Sequence, residues 1–267
     1  LSSGTRRCAE CVGWAIDTVA ARSDYVRRGL AAADVLVAPS RFARSRYRDW
    51  AGDAIADVRV VDNAVEFPSR VDPSAGGAGG LRLLFVGQHT PYKGLEVLLR
   101  AVARASADAP GAIASLDVYG DGSDRFSPEF HASLTAALAA GEPLVRTRGR
   151  YAQADLPAML DAADAIVVPS TWWENSPVVI EEALARRVPV ICSDIGGMAE
   201  KVRHGVDGWH FPVGNAAALA ELLVALADAD RRLPGMRRPA AIEDVARAHL
   251  EAYRDAVDLR SAGLRQT

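Results

Sequence analysis

Residues 81–103, LRLLFVGQHTPYKGLEVLLRAVA, decide the fold. Residues 81–86 form a short apolar run of strand length, residues 87–94 form a loop with glycine at each end, and Leu95, Leu98, Leu99, Val102 and Ala103 then recur at helical spacing. A strand that passes through a short loop straight into a helix is the opening half of a βαβ unit. Downstream the alternation repeats. Strands are predicted at 113–119, 144–147, 165–168, 188–192 and 209–211, and Leu219, Leu222, Leu223 and Leu226 mark a further helix. The expected class is α/β, a doubly wound parallel sheet with the helical stripes as core faces.

Upstream of residue 81 the pattern is thinner. Residues 35–38 and 58–61 read as two strands joined by a helix over 42–50, with Ser40 in its N-cap region. Two strands do not make a domain. Residues 67–80 carry Pro68, Pro73 and the run Gly76-Gly77-Ala78-Gly79-Gly80, a flexible linker by composition. After prolines at 234 and 239 a last helix is predicted over 242–257, and its Val245, Leu250 and Tyr253 need a surface to pack on. The expected organisation is a partial unit (1–66), the linker (67–80), a full domain (81–238) and a C-terminal helix (239–267) that crosses back to the first unit.

Composition narrows the function. The 267 residues exceed the ~100–200 usual for one domain. With 34 acidic and 31 basic residues the net charge is −3, so nothing electrostatic argues for nucleic acid as a partner, and a polybasic role is excluded. No apolar run approaches the ~18–20 residues that span a bilayer, and Leu1 opens no basic and apolar signal region, so a soluble cytoplasmic fragment is expected. Three cysteines make no disulfide framework. Cys192, in VPVIC, reads as a small core hydrophobe, and Cys8 and Cys11 form a C-x2-C pair, half of a zinc site without a second pair downstream.

Ligands of an open parallel sheet bind beyond the carboxyl ends of its strands. The loop Gly87-Gln88-His89-Thr90-Pro91-Tyr92-Lys93-Gly94 leads into a helix N-terminus, where free N–H groups favour an anion and Lys93 adds a positive charge. Lys93 and Lys201 are the only lysines. The loop is neither G-x-G-x-x-G nor G-x4-G-K-[ST], so phosphate is expected without a dinucleotide fingerprint or P-loop. Tyr119-Gly120-Asp121-Gly122 and the glycine-bearing 193–200 segment are further strand-to-helix loops. The stretch 169–177, PSTWWENSP, precedes a helix holding Glu181 and Glu182. Pro177 suits the first helical turn, so Glu174 precedes the helix while Glu182 lies inside it. Eight residues of continuous helix would part those carboxylates by ~12 Å, too far for a glycosidase pair, and they read as hydrogen-bond acceptors for a ligand. Spacing leaves Glu181 and Glu182 equally plausible, and Glu182 could simply pair with Arg186 at i,i+4. Of Trp172 and Trp173, one is expected to wall the cleft and the other to fill core. Together these loops point to a nucleotide-diphosphate site.

The same residues strongly resemble the family-4 retaining glycosyltransferases of the GT-B fold. VGQHTPYKG looks like the donor-phosphate loop, VYGDG like the second loop, and WENSPVVIEEAL like the E-x7-E signature, with PVICSDIGGMAEKVRHGVDGWHFP continuing the pattern. ADVLVAPSRFARSRYRD and VRVVDNAVEF resemble the end of the family's N-terminal, acceptor-binding domain. The resemblance therefore implies a Rossmann-like donor domain at 81–238 and a truncated remnant of a second Rossmann-like domain at 1–66. It selects Glu182 over Glu181.

Carried over residue by residue, the resemblance implies that Lys93 binds the donor diphosphate, Glu182 holds the ribose hydroxyls and Glu174 meets the hydroxyls of the transferred sugar, with Lys93 and Glu174 at the reacting centre. Gly87, Gln88, Gly120, Gly122, Arg150, Tyr151, Asn175, Ser176, Pro177 and Val178 complete the implied donor site. Gln88 departs from the arginine common there, and an amide donates a hydrogen bond without neutralising charge. His89 sits in the phosphate loop near the donor, and His131, His204, His210 and His249 are expected to be structural or solvated. The implied reaction is transfer of a hexosyl-type group from a nucleotide-diphosphate sugar to an acceptor hydroxyl with retention, without metal or other cofactor. Implied partners are the nucleotide-sugar donor and a glycan, lipid-linked or small-molecule acceptor, with peripheral membrane contact through the missing half left open. Alternatives are a nucleotide-sugar epimerase of the same fold and a non-catalytic nucleotide-sugar binding module, the latter suggested by Gln88. The fragment alone is expected to bind donor and to transfer negligibly.

Overall fold

Six parallel strands form the larger sheet of the computed structural model, in the spatial order Val145–Gly149, Ile113–Tyr119, Leu81–Val86, Ala165–Val168, Val190–Ser193 and Gly208–Phe211. Residues 9, 13–66, 79–229, 233 and 235–262 are described, and the chain divides into two units, Leu1–Ala64 with Ala240–Thr267, and Val65–Pro239. Cys8, Cys11 and residues 67–78 of the expected linker lie outside the described residues.

The larger unit begins with β3 (Leu81–Val86) and α3 (Leu95–Asp108), the pair expected from residues 81–103. It continues through β4 (Ile113–Tyr119), α4 (Pro128–Ala140), β5 (Val145–Gly149), α5 (Leu156–Asp161) and β6 (Ala165–Val168). α6 (Val178–Ala185), β7 (Val190–Ser193), α7 (Gly196–Lys201), β8 (Gly208–Phe211) and α8 (Ala216–Ala227) complete it. Alternation along β3 sends Leu81, Leu83 and Phe85 to one face and Leu84 to the other. The first face packs on α3, α4 and α8 through Leu98, Val102, Leu134, Leu219 and Leu223. The second packs on α5, α6 and α7 through Leu156, Leu160, Ile180, Leu184 and Met198. A sheet covered on both faces gives its strands the near-continuous apolar runs read in the sequence. Cys192 is fully buried in the second cluster, and burial pushes its thiol up, the behaviour of an inert core residue. In α3 the stripe differs by one member: Ala103 is exposed, and Ala101 and Ala105 face the core.

The two central strands are fixed at their amino ends. Asp164, just before β6, accepts bonds from the Arg82 backbone N–H at 2.8 Å and from its guanidinium at 2.7 and 3.2 Å. At the far side of the sheet, fully buried Asp207 accepts from Arg203 Nε at 2.6 Å and Nη2 at 2.8 Å, and from the Arg237 backbone N–H at 2.7 Å. Arg203 also reaches the Gly235 carbonyl and Arg187 the Met236 carbonyl, so two arginine side chains and the Arg237 N–H hold the segment that closes this unit.

The smaller unit holds α1 (Ile16–Ala31), β1 (Leu36–Ala38), α2 (Arg41–Ala51), β2 (Val58–Val60) and α9 (Ile242–Ser261). Ser40 caps α2 by accepting the Ala43 N–H at 3.0 Å. β1 and β2 pair in parallel over a small core of Ala38, Ala43, Ala51, Ile55 and Val58. α9 joins this unit by ion pairs, Arg59 to Asp255 at 2.5 Å and Arg260 to Asp34 at 2.6 Å. Its expected apolar stripe is not buried: Leu250 and Tyr253 are more than half exposed, and Ala252 is the buried position. No helix among the described residues is long and apolar enough to cross a membrane.

Burial pushes the Asp207 carboxyl up, but its bonds from Arg203 and Arg237 outweigh burial and hold it below the ordinary 3.8. Stability from this carboxylate is present above that value and is lost as pH falls through the lower folded value. Asp207→Asn is expected to lower the melting temperature at pH 7 by roughly 5 °C, from lost charge-assisted bonds. The gap to wild type should close below about pH 3.8 in thermal melts; a gap independent of pH would show that the charge is not its source.

Candidate functional site

β3 and β6 are neighbours in the sheet, yet their chains depart in opposite directions, towards β4 and β5 on one side and towards β7 and β8 on the other. Loops that leave such a pair diverge and open a crevice at the carboxyl edge. The loop after β3 does not run directly into its helix. Thr90 accepts the Lys93 N–H at 3.3 Å and caps a 3-10 turn, Pro91–Lys93, before Gly94 at φ 69° starts α3. A β-carbon on Gly94 would lie 1.9 Å from the Pro169 carbonyl oxygen, so only glycine lets this loop rest on the end of β6.

That contact sets up the central pair. Lys93 Nζ donates to Glu174 Oε1 at 2.8 Å, and the buried Ser170 hydroxyl donates to the same oxygen at 2.9 Å. The Thr171 N–H donates to the Tyr92 carbonyl at 2.8 Å, and the Gly197 N–H donates to the Glu174 carbonyl at 2.7 Å. A β-carbon on Gly197 would lie 2.1 Å from the Asn175 carbonyl oxygen. Glu174 is thus held by the loops after β3 and β7 and by its own loop. Pro177 stands at the N-cap position, just before α6 rather than in its first turn, so Glu174, Asn175 and Ser176 precede the helix as expected, and Val178 begins it half exposed.

A second cluster surrounds Glu182. Gln153 Nε2 donates to its Oε1 at 2.5 Å, and Tyr151 packs edge-to-face on Tyr119 with ring centroids 6.1 Å apart. Burial, then the Glu182 charge, raises the Tyr151 hydroxyl above its ordinary value. Burial raises the Glu182 carboxyl too, and the Gln153 bond offsets this in part. Arg150 is exposed and lies 3.6 Å from Asp121. Gly120 at φ 126° brings the second loop against the Gly87 carbonyl, where a β-carbon would lie 1.8 Å from the oxygen, and Gly122 continues the turn at φ 100°. Gln88 is exposed, with its carbonyl accepting the Thr90 N–H at 2.9 Å. His89 is buried against Phe85, and burial lowers its ring's pKa against the upward pull of Asp121.

The choice that spacing left open between adjacent carboxylates is resolved by their surroundings. Glu181 is fully buried and accepts from Arg237 Nη1 and Nη2 at 2.8 and 2.6 Å, with Lys201 Nζ at 3.9 Å, so its charge is spent on structure. Glu182 turns to the Gln153 side. The i,i+4 pairing of Glu182 with Arg186 does not form, because Arg186 takes Asp161. The expected division of the tryptophans is also corrected: Trp172 and Trp173 both reach solvent, and neither is core filler. Sequence reasoning missed Ser170, Gln153 and Arg237. Ser170 stands four residues before Glu174 in PSTWWENSP, whereas no spacing points to Gln153 or Arg237. Among the described residues no group of three or more His, Cys, Asp or Glu side chains is placed to hold a metal ion.

Because burial raises the Glu182 carboxyl, the folded chain carries a cost that appears as pH rises through the folded value and is absent below the ordinary 4.5. Glu182→Gln is expected to raise the melting temperature of the ligand-free chain at pH 7 by roughly 1–3 °C. No gain is expected at pH 4, where both side chains are neutral. Melts at the two pH values check this, and an equal effect at both would disprove it.

Residues 80–229 match the family model described as glycosyl transferases group 1, which covers more than half of the chain. The amylovoran biosynthesis glycosyltransferase AmsK of Erwinia amylovora is 32% identical over 157 residues, 56% of this chain and 37% of that protein. A D-inositol 3-phosphate glycosyltransferase of Nocardioides sp. is 34% identical over 197 residues, 67% of this chain and 43% of the relative. The chain thus spans less than half the length of these curated relatives. Among solved structures, an S. aureus TarM mutant in complex with Fondaparinux, alpha-GlcNAc-glycerol and UDP superposes with a TM-score of 0.69 at 14% identity, covering 86% of this chain and 46% of that one. Anabaena Alr3699/HepE in complex with UDP-glucose gives 0.64 at 21% identity, covering 86% and 64%. At such identities the likeness is one of fold. With more than half its length matched by the family model, the chain belongs to the glycosyl transferases group 1 family and has the Rossmann-like GT-B fold.

Proposed function

We propose that the unit Val65–Pro239 binds a nucleotide-diphosphate sugar and that the whole protein transfers the sugar to an acceptor hydroxyl with retention of anomeric configuration. The observation that carries this reading is the Lys93–Glu174 pair, 2.8 Å apart at the switch point of the sheet, with Glu182 beside Gln153 in a second cluster at the same unit's loops. In this reading Lys93 takes the diphosphate, Glu174 the hydroxyls of the transferred sugar, and Glu182 the ribose, with Tyr151 and Arg150 towards the base. The bond from the anomeric carbon to the diphosphate oxygen breaks and that oxygen keeps the electron pair. The acceptor oxygen forms the new bond, and its proton passes to the departing phosphate.

Charge on the leaving group is met by Lys93 and by N–H groups at the start of α3, so the reaction needs no metal or other cofactor. UDP in the TarM complex and UDP-glucose in the HepE complex favour a uridine nucleotide. The smaller unit then belongs to the acceptor side, and the acceptor is a glycan, a lipid-linked sugar or a small molecule. Exposed Gln88, which brings no charge, favours a second reading, a binding module without turnover.

Isothermal titration of the chain with UDP, GDP and ADP in EDTA tests the donor site. UDP is expected to bind, and Lys93→Ala and Glu182→Ala each to weaken it at least tenfold, the equivalent of about 1.4 kcal/mol or more. A folded chain that binds none of the three disproves the donor site. UDP binding without sugar transfer by the full-length protein would select the binding module.

A further inference from the structure

Tyr92 and Trp172 are each 57% exposed and Trp173 is 38% exposed, although they are among the largest apolar side chains of the unit. They form one cluster. Tyr92 and Trp172 meet edge-to-face with ring centroids 6.0 Å apart and planes at 64°, and Trp172 and Trp173 lie 6.1 Å apart at 41°. The rings are carried on backbone that is already fixed: the Thr171 N–H donates to the Tyr92 carbonyl at 2.8 Å, and Gly94 seats the loop on Pro169. Each ring neighbours the central pair in sequence, Tyr92 beside Lys93 and Trp172 two residues before Glu174.

We propose that Tyr92 and Trp172 form a stacking platform for a pyranose ring of the acceptor, making the acceptor a sugar rather than a non-sugar alcohol. This rests on the donor reading above. Rigid aromatic surface held open to water is unfavourable unless a ligand covers it. A pyranose suits it: one face presents C–H bonds to the rings while the hydroxyls at its edge stay free for water and carboxylate. The acceptor is favoured over the donor sugar by the direction of the polar groups. Glu174 is drawn inward to buried Ser170, whereas Tyr92 and Trp172 face the solvent from which an acceptor arrives and into which the product leaves.

Saturation-transfer NMR with maltose, cellobiose and lactose as probes, on the chain holding UDP, tests the platform. Transfer is expected to be strongest at the C–H protons of one ring face and to fall at least threefold in Tyr92→Leu and in Trp172→Leu, with UDP affinity changed less than twofold. No transfer to any of the three sugars, or transfer unchanged in both variants, would overturn the platform. Suppression of the signal when UDP-glucose replaces UDP would give the rings to the donor sugar and overturn the acceptor assignment. Self-association seen by sedimentation in the wild type and lost in both variants would make the patch a contact between copies and likewise overturn it. The UDP titration of the same samples keeps the two readings apart: sugar contact without UDP binding sinks the donor reading, and UDP binding without sugar contact sinks the platform alone.

Discussion

A β-carbon at residue 94 would lie 1.9 Å from the Pro169 carbonyl oxygen, and one at residue 197 would lie 2.1 Å from that of Asn175. These two absences of side chain set the distance between three loops. With Gly94 against Pro169, the turn that carries Lys93 reaches the loop that carries Glu174. With Gly197 against Asn175, the Glu174 carbonyl finds the Gly197 N–H. The central strands are then joined at both ends, by Arg82 and Asp164 at the amino edge and by Lys93 and Glu174 at the carboxyl edge. The crevice that the switch in strand direction opens is thereby given a floor of fixed backbone, which suits a site that must orient polar groups before a ligand arrives.

The neighbours Glu181 and Glu182 show how one short helix can serve stability and a site at once. Glu181 is buried among Arg237 and Lys201, and the arginine fork satisfies both of its oxygens. Stripping one partner from such a pair typically costs about 3–5 kcal/mol, because a buried charge is left uncompensated. One residue on, Glu182 is buried with a single neutral donor and sits above its ordinary pKa. The helix is held in place by the first carboxylate and strained by the second. An under-satisfied carboxylate in an otherwise well-packed unit is the kind of local inconsistency that marks a binding position.

Strand positions were legible because burial on both faces writes continuous apolar runs, and their errors have local causes. β7 starts at Val190 rather than residue 188, since Pro189 has no N–H for the ladder and contributes only its carbonyl, which accepts from Ile166 at 3.0 Å. β5 runs on to Gly149, two residues past the predicted end, with Arg148 tied to Asp117 of β4 at 2.6 Å. Lys93 and Glu174 were readable as candidates from loop position and from resemblance to known motifs, and Glu182 from the resemblance alone. Gln153 and Arg237 were not, because each reaches its carboxylate across 29 and 56 residues of chain, and no local period records such a contact. The last helix misled for a related reason: its apolar residues suggested a buried stripe, yet among the contacts described α9 is attached to its unit by charges at Asp255 and Arg260.

The pairing of Lys93 with Glu174 gives the ligand-free site a defined resting form under the proposed reading. Each partner is the other's counter-charge, so neither long side chain is left to sample many rotamers, and the pair as a whole presents little net charge to water. A diphosphate that reaches Lys93 must replace a carboxylate that already occupies it. The exchange is favourable because a diphosphate carries more negative charge than one carboxylate and is met by the helix-end N–H groups as well. Glu174 does not lose its place when the lysine turns away, since Ser170 and the Gly197 N–H still hold it. Its freed acceptor capacity is then available to sugar hydroxyls. With an uncharged Gln88 in the same loop, Lys93 carries a larger share of that exchange than it would beside an arginine, so binding of the phosphates and release of Glu174 become one event.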